Sequence, residues 1–351
     1  MGKISCDTCV KWLCAILFAT FAFCWLYFFQ QDLVCASIRE LLADNKDLSL
    51  SLSGHHFLNS VLLTAVSLLL AKPGVVLFRF RKGLYACNYL FSALFLGAIT
   101  GYDGNPLSGR SNAVWIVSLV LVVVLFVICK MVSTLPKSDY NDRTRTLAGN
   151  LLIMSSLFSL TAFMGNTDEN LHRSLRMEHL YAHGKYDDLL QVGRMEEESD
   201  KAIDLLRAKA MLNIPSDGNP KGSMIGEMLF DYSIYDPVAL SDELMDIDNT
   251  QAYLASCLLR GDLDSFRDSI DLNDYRVVPR FFIQALVLAN DSHAMELFPS
   301  QYRTEQSLLD SFMDRLEAVK DEPLAYRANS TFIDYHSTYY WFSLFRTENH
   351  N

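Results

Sequence analysis

No catalytic signature is legible in these 351 residues: there is no Gly-x-Ser-x-Gly elbow, no Walker loop and no His-Glu-x-x-His pair. Cysteine is almost missing from the C-terminal half. Seven of the eight cysteines lie at or before Cys129, and only Cys257 follows. A lone cysteine cannot staple a domain, so that half must hold itself together with a hydrophobic core. Charge is missing from long stretches. Residues 113–132 contain no Asp, Glu, Lys or Arg before Lys130, and about 20 apolar helical residues match a hydrocarbon core of about 30 Å. The N-terminus lacks two processing signals: Cys6 stands where a myristoylation motif needs Ser or Thr, and no small-residue cleavage site follows the first apolar run. That run therefore reads as a retained span.

Five apolar segments can be counted, at about 12–29, 57–78, 84–102, 113–132 and 147–165. The second stops at Lys72-Pro73-Gly74 after 15 residues, short for a span unless Val75 to Phe78 extends it. With the N-terminus inside, the inner segments hold ten Lys/Arg (Lys3, Lys11, Lys72, Arg79, Arg81, Lys82, Lys130, Lys137, Arg143 and Arg145). The outer loops hold three, Arg39, Lys46 and Arg110. That asymmetry predicts a cytoplasmic N-terminus and an outer C-terminal domain. No ionisable residue falls in the middle of a span, which argues against a proton or ion pathway. The polar residues present, Asn59, Thr64, Ser67, Asn88, Ser92, Asn150 and the serines of the fifth segment, are of the kind that pack helices together.

Composition breaks after residue 165. Residues 1–165 hold 13 Lys/Arg against 8 Asp/Glu, and residues 166–351 hold 17 against 33. An acidic second half argues against nucleic acid and against docking onto anionic lipid. We therefore divide the chain into a transmembrane domain, 1–165, and an extramembrane domain, 166–351. The predicted fold is all-α: a five-span helical bundle followed by a helical repeat domain.

The repeat reading comes from helix pairs joined at glycine. Residues 178–190 read as an apolar helix, a turn at Gly184, and a second helix opened by Asp187 and Asp188. Residues 251–266 repeat that plan around Gly261, with Asp262 and Asp264. A third, weaker pair runs from Phe281 to Asn290 and from Asp291 to Phe298. Glycine past a helix end takes the left-handed conformation cheaply, and acids suit the first turn of the next helix. The Gly-x-[Tyr/Leu]-Asp turns resemble tetratricopeptide (TPR) repeats, although the spacing is irregular and residues 232–248 interrupt the array.

Nothing in the pattern calls for a cofactor or a metal. Cys6 and Cys9 lack a second ligand pair. His55 and His56 point apart on a helix, and His179 and His183 stand at i, i+4 with no Glu between them. What remains is an interaction surface rich in aromatics, for which the candidates are Tyr181, Tyr186, Tyr253, Phe281, Phe282, Tyr339, Tyr340 and Trp341. Nine of the fifteen residues 331–345 are aromatic or apolar, too few and too polar to span. This segment is expected to cap the helical array, with the membrane interface or a partner as alternatives.

Three stretches carry a wider resemblance: Gln30-Gln31-Asp32 at the exit of the first span, Val278-Pro279-Arg280-Phe281-Phe282-Ile283-Gln284-Ala285-Leu286, and the Tyr339-Tyr340-Trp341-Phe342 ending. Loosely, along the whole chain, the arrangement resembles a family of Bacteroidota multi-span inner-membrane proteins with a TPR-like C-terminal domain and no assigned activity. The resemblance implies a bacterial inner-membrane address with residues 166–351 periplasmic, and it supplies no chemistry. Two function classes follow. The first is a scaffold holding another envelope protein or a peptide. The second is a transporter or membrane-embedded enzyme with its site at the outer ends of the spans.

Overall fold

The computed structural model describes residues 6–42, 54–77, 84–101, 142–193, 200–216, 219 and 222–345. The apolar segment 113–132 lies outside them. The described secondary structure is helical, and the chain divides into two compact units, Met1–Leu175 and Arg176–Asn351.

In the N-terminal unit, α1 (Cys6–Cys24) continues through a π-helical turn, Trp25–Phe29, where the Gln30 N–H reaches back to the Trp25 carbonyl. Its buried residues, Val10, Cys14, Phe18, Ala22 and Leu26, recur every fourth position, whereas Trp12, Leu13, Ile16, Phe28 and Phe29 are exposed. The amphipathic α2 (Gln31–Leu41) follows. Next come α3 (His56–Leu69) and α4 (Ala71–Leu77), which together give an apolar helix of 21 residues, His56–Val76. Lys72-Pro73-Gly74 therefore does not end the segment. Pro73 lies in the first turn of α4, where its missing N–H forfeits no helical hydrogen bond. A 3-10 turn, Tyr85–Tyr89, leads into α5 (Leu90–Thr100), and α6 spans Asp142–Met164. Among the described residues, three helices are long and apolar enough to cross a membrane: Thr8–Phe29, His56–Val76 and Thr146–Met164. Tyr85–Thr100 is apolar but shorter.

The polarity of α3 is inverted relative to a helix in water. Its buried residues are Asn59, Ser60, Thr64 and Ser67, while Phe57, Leu58, Val61, Leu62 and Leu69 face outward. That inversion suits surroundings at least as apolar as the protein interior, where small polar groups find partners only between helices. Ser92 Oγ donates to the Ser67 carbonyl at 2.6 Å, and Thr64 and Ser67 bond carbonyls of their own helix. On α6, buried Asn150 donates to the Thr146 carbonyl and accepts the Ala86 N–H at 2.8 Å, satisfying the first turn of the 3-10 segment. Helices α5 and α6 meet along Gly97 and Gly101. A Cβ at Gly97 would stand 2.7 Å from Met164 Sδ, and one at Gly101 2.8 Å from the Met164 carbonyl oxygen. Only glycine permits that approach.

α7 spans Glu169–Ala182. The C-terminal unit continues with α8 (Tyr186–Gln191), α9 (Lys201–Asn213), α10 (Ile225–Met228), α11 (Pro237–Met245), α12 (Thr250–Arg260) and α13 (Leu263–Ser269). It ends with α14 (Arg280–Leu288), α15 (Ser292–Leu297), α16 (Pro299–Glu317), α17 (Leu324–Tyr335) and α18 (Tyr339–Phe345). Asp200, Asp236, Asn249, Asp262 and Asp291 each cap a helix by accepting backbone N–H bonds, so part of the acidic composition serves as helix starts.

The three helix pairs close with one motif. The Lys185 N–H reaches the Leu180 carbonyl and the Gly184 N–H the Tyr181 carbonyl. The Asp262 and Gly261 N–H groups pair likewise with Cys257 and Leu258, and those of Asp291 and Asn290 with Leu286 and Val287. These are Schellman turns, which need a left-handed residue. Gly184, Gly261 and Asn290 supply it at φ +68°, +72° and +51°.

Candidate functional site

The aromatic ending folds back into the core. Tyr339, Tyr340, Phe342 and Phe345 are buried, and α18 packs on α14 and α17. The contact is polar as well as apolar. The Tyr339 N–H donates to Gln284 Oε1 at 2.8 Å, its hydroxyl donates to the Leu258 carbonyl, and the Tyr340 hydroxyl donates to the Glu305 carbonyl. Gln284 Nε2 donates to Glu305 Oε2 at 2.9 Å. Burial raises the pKa of Glu305 and of both tyrosines.

The surface candidates therefore divide. Phe281, Phe282, Tyr339 and Tyr340 are at most 1% exposed and belong to the core. Aromatic residues at helical spacing mark an apolar face, and here that face is covered by neighbouring helices. Tyr181 and Tyr186 are half-buried, with ring centroids 5.4 Å apart, and Tyr253 stands exposed. Trp341 is half-buried and borders a cavity.

That cavity, of about 460 Å³, is lined by Phe230 to Ile234, by Asn329, Phe332 and His336 of α17, and by Trp341 and Phe342 of α18. Its size is that of a small-ligand or side-chain site. Phe230 is braced by Phe342 at 4.4 Å and, edge-on, by Phe281 at 4.9 Å. Trp341 meets Phe332 at 5.4 Å and 74°, and its indole N–H points to the Ala328 carbonyl at 3.4 Å. Asp231 is tied to Arg280, and Tyr232 donates to the Leu190 carbonyl. His336 places Nδ1 2.9 Å from the Phe332 carbonyl. As a donor there, Nδ1 leaves Nε2 as an acceptor in the neutral ring. Phe230, Phe332 and His336 are absent from the sequence candidates. Asn329, Phe332 and His336 stand at i, i+3 and i+7, so their shared helix face was there to be read.

A second, polar cluster lies in the N-terminal unit. Cys35 Sγ stands 3.2 Å from His56 Nδ1, and Asp32 lies 3.9 Å from His172. Gln30 Nε2 donates to the Asn166 carbonyl, which also meets His172 Nε2. Burial, with the Asp32 carboxylate adding to it, pushes the Cys35 thiol up to about 12. A thiol so held is protonated and a poor nucleophile. His179 and His183, with rings 4.2 Å apart, remain a local helix pair. Among the described residues, no three His, Cys, Asp or Glu side chains are grouped to hold a metal ion.

Chemically, the cavity can hold an apolar group against aromatic faces and can hydrogen-bond it at the rim. The Cys35 cluster can cross-link the ends of helices. No protein-family model, curated protein or solved structure matches this chain.

Proposed function

We propose that this chain is a membrane-anchored docking scaffold. Its N-terminal half is a five-span bundle, in which segments 84–102 and 113–132 join the three longer apolar helices. Its C-terminal half is a TPR-like helical domain that holds a protein or peptide segment of the cell envelope. The bias of ten Lys/Arg to three supports a cytoplasmic N-terminus and a periplasmic C-terminal domain in a bacterial inner membrane. Three Schellman-closed helix pairs in one domain support the repeat reading. The observation that carries the function is the aromatic cavity between α17, α18 and the segment around Phe230, an apolar recess in an otherwise acidic domain.

The transporter or enzyme reading has the Cys35, His56, Asp32 and His172 cluster in its favour. A protonated, buried thiol weakens it. The docking reading is tested by placing a photo-crosslinking amino acid at Asn329 of the full chain in living cells, with Arg303 as a control. Docking predicts a discrete adduct at Asn329 alone, lost in Phe332→Ser. Equal or absent crosslinking at both positions contradicts it.

A further inference from the structure

We infer that the occupant of the aromatic cavity is a peptide segment with one bulky, uncharged apolar side chain and basic flanks. This rests on the docking reading above and names the chemistry of its ligand.

The floor and walls decide the anchor. Phe230, Phe332, Trp341 and Phe342 offer aromatic surface. The one carboxylate of the lining, Asp231, already has Arg280 as its counterion, and His336 commits Nδ1 to a backbone carbonyl. A charged anchor would lose its water with no unpaired opposite charge to meet it, so a neutral side chain is favoured.

Two polar side chains of the lining point to a peptide backbone. Neither Ser233 nor Asn329 has a side-chain hydrogen-bond partner among the described residues. A carboxamide offers a donor and an acceptor together, the complement of a peptide unit. A hydrocarbon chain would offer neither group a partner.

The rim and the field decide the flanks. On α17, Tyr326 is 55% and Ile333 83% exposed, seven residues apart on one face, and they extend the apolar surface beyond Phe332. The C-terminal half as a whole carries 33 Asp/Glu against 17 Lys/Arg, and Asp334 of α17, next to Ile333, is exposed. Such a field attracts Lys and Arg beside the anchor and repels acidic peptides and anionic lipid headgroups.

The test uses the full chain in phosphatidylcholine nanodiscs and a fluorescein-labelled peptide, Lys-Lys-Ser-Trp-Ser-Lys-Lys, read by anisotropy. We expect saturable binding that weakens about tenfold when the peptide's Trp becomes Ala, and again when its lysines become Glu. Phe332→Ser and Ile333→Ser should weaken it about as much, Asn329→Ala by a few-fold, and Met313→Ser, exposed on α16 and outside the lining, not at all. Equal affinity for the Ala-anchored peptide would reduce the effect to charge, and equal affinity for the Glu-flanked peptide would remove the charge argument. Indifference to both Phe332→Ser and Ile333→Ser would place binding elsewhere. Each of these results overturns the inference. Crosslinking at Asn329 without peptide binding refutes this ligand chemistry and leaves docking standing, whereas peptide binding without any cellular adduct contradicts the docking role.

Discussion

Helix α3 in the N-terminal unit hides Asn59, Ser60, Thr64 and Ser67 and presents Phe57, Leu58, Val61 and Leu62. Helix α14 in the C-terminal unit hides Phe281, Phe282, Ile283, Ala285, Leu286 and Val287. The same secondary structure thus turns opposite faces inward in the two units. In the first unit, association rests on close backbone approach at Gly97 and Gly101 and on hydroxyl-to-carbonyl bonds such as Ser92 to Ser67. The second buries a continuous aromatic and aliphatic core and spends its acids on helix caps and surface. Hydropathy alone would rank the first unit as the better core former. Burial shows instead that many of its described apolar side chains are left exposed, as suits a surrounding apolar medium.

The contrast can be broken most forcefully inside the C-terminal core. Phe281→Ala should destabilise that unit by about 3–5 kcal/mol. Urea-dependent proteolysis of the full chain in detergent measures it, and a loss below about 1 kcal/mol would mean that the aromatic cluster is not the core. A charge on an exposed apolar residue is the next largest effect, and it should differ between the units. Leu62→Lys should oppose insertion by about 2.5–3.5 kcal/mol, lowering recovery in alkali-washed membranes. Ile333→Lys should change stability by no more than about 0.5 kcal/mol. Equal tolerance at the two positions would erase the distinction.

Gly184 isolates the backbone contribution. A Cβ there would meet nothing within 4 Å, so Gly184→Ala pays only for φ +68°, about 1 kcal/mol. Faster amide exchange across Tyr181 to Leu189 should accompany it, and unchanged exchange would contradict the Schellman turn. The smallest effect concerns Glu305. Its folded pKa is raised by burial, so folding favours the neutral acid and stability falls as pH rises from the ordinary glutamate range through the folded value. Glu305→Gln can still accept the Gln284 bond and should flatten that fall, as read by amide exchange at Tyr339 and Tyr340 against pH. A pH profile identical to wild type would show that Glu305 does not titrate in that core.

The helix pairs were legible because a left-handed residue past a helix end leaves few choices, and Gly184 and Gly261 announce it. The third pair turns on Asn290, which the sequence segments already ended upon. Small polar residues in apolar runs forecast helix packing. Less legible was which side of each aromatic helix would be covered. Phe281 and Tyr339 look like Trp341 in sequence, yet the first two are enclosed by α14 packing on α18, and only Trp341 reaches the cavity. Phe230 and Phe332 lie about a hundred residues apart, so local patterning could not join them. The Cys35 to His56 contact escaped for the same reason, since the two come from different helices.

The account turns on the claim that the exposed apolar faces of the two units meet different media. Dual footprinting of the unmodified chain in nanodiscs tests it most directly, with a lipid-soluble diazirine in one arm and hydroxyl radicals in the other, both read by mass spectrometry. The account predicts diazirine adducts at Trp12, Ile16, Phe57, Leu58 and Leu62 with little oxidation there, and the reverse at Tyr326 and Ile333. Oxidation of Leu58 and Leu62 as ready as that of Ile333 would contradict it.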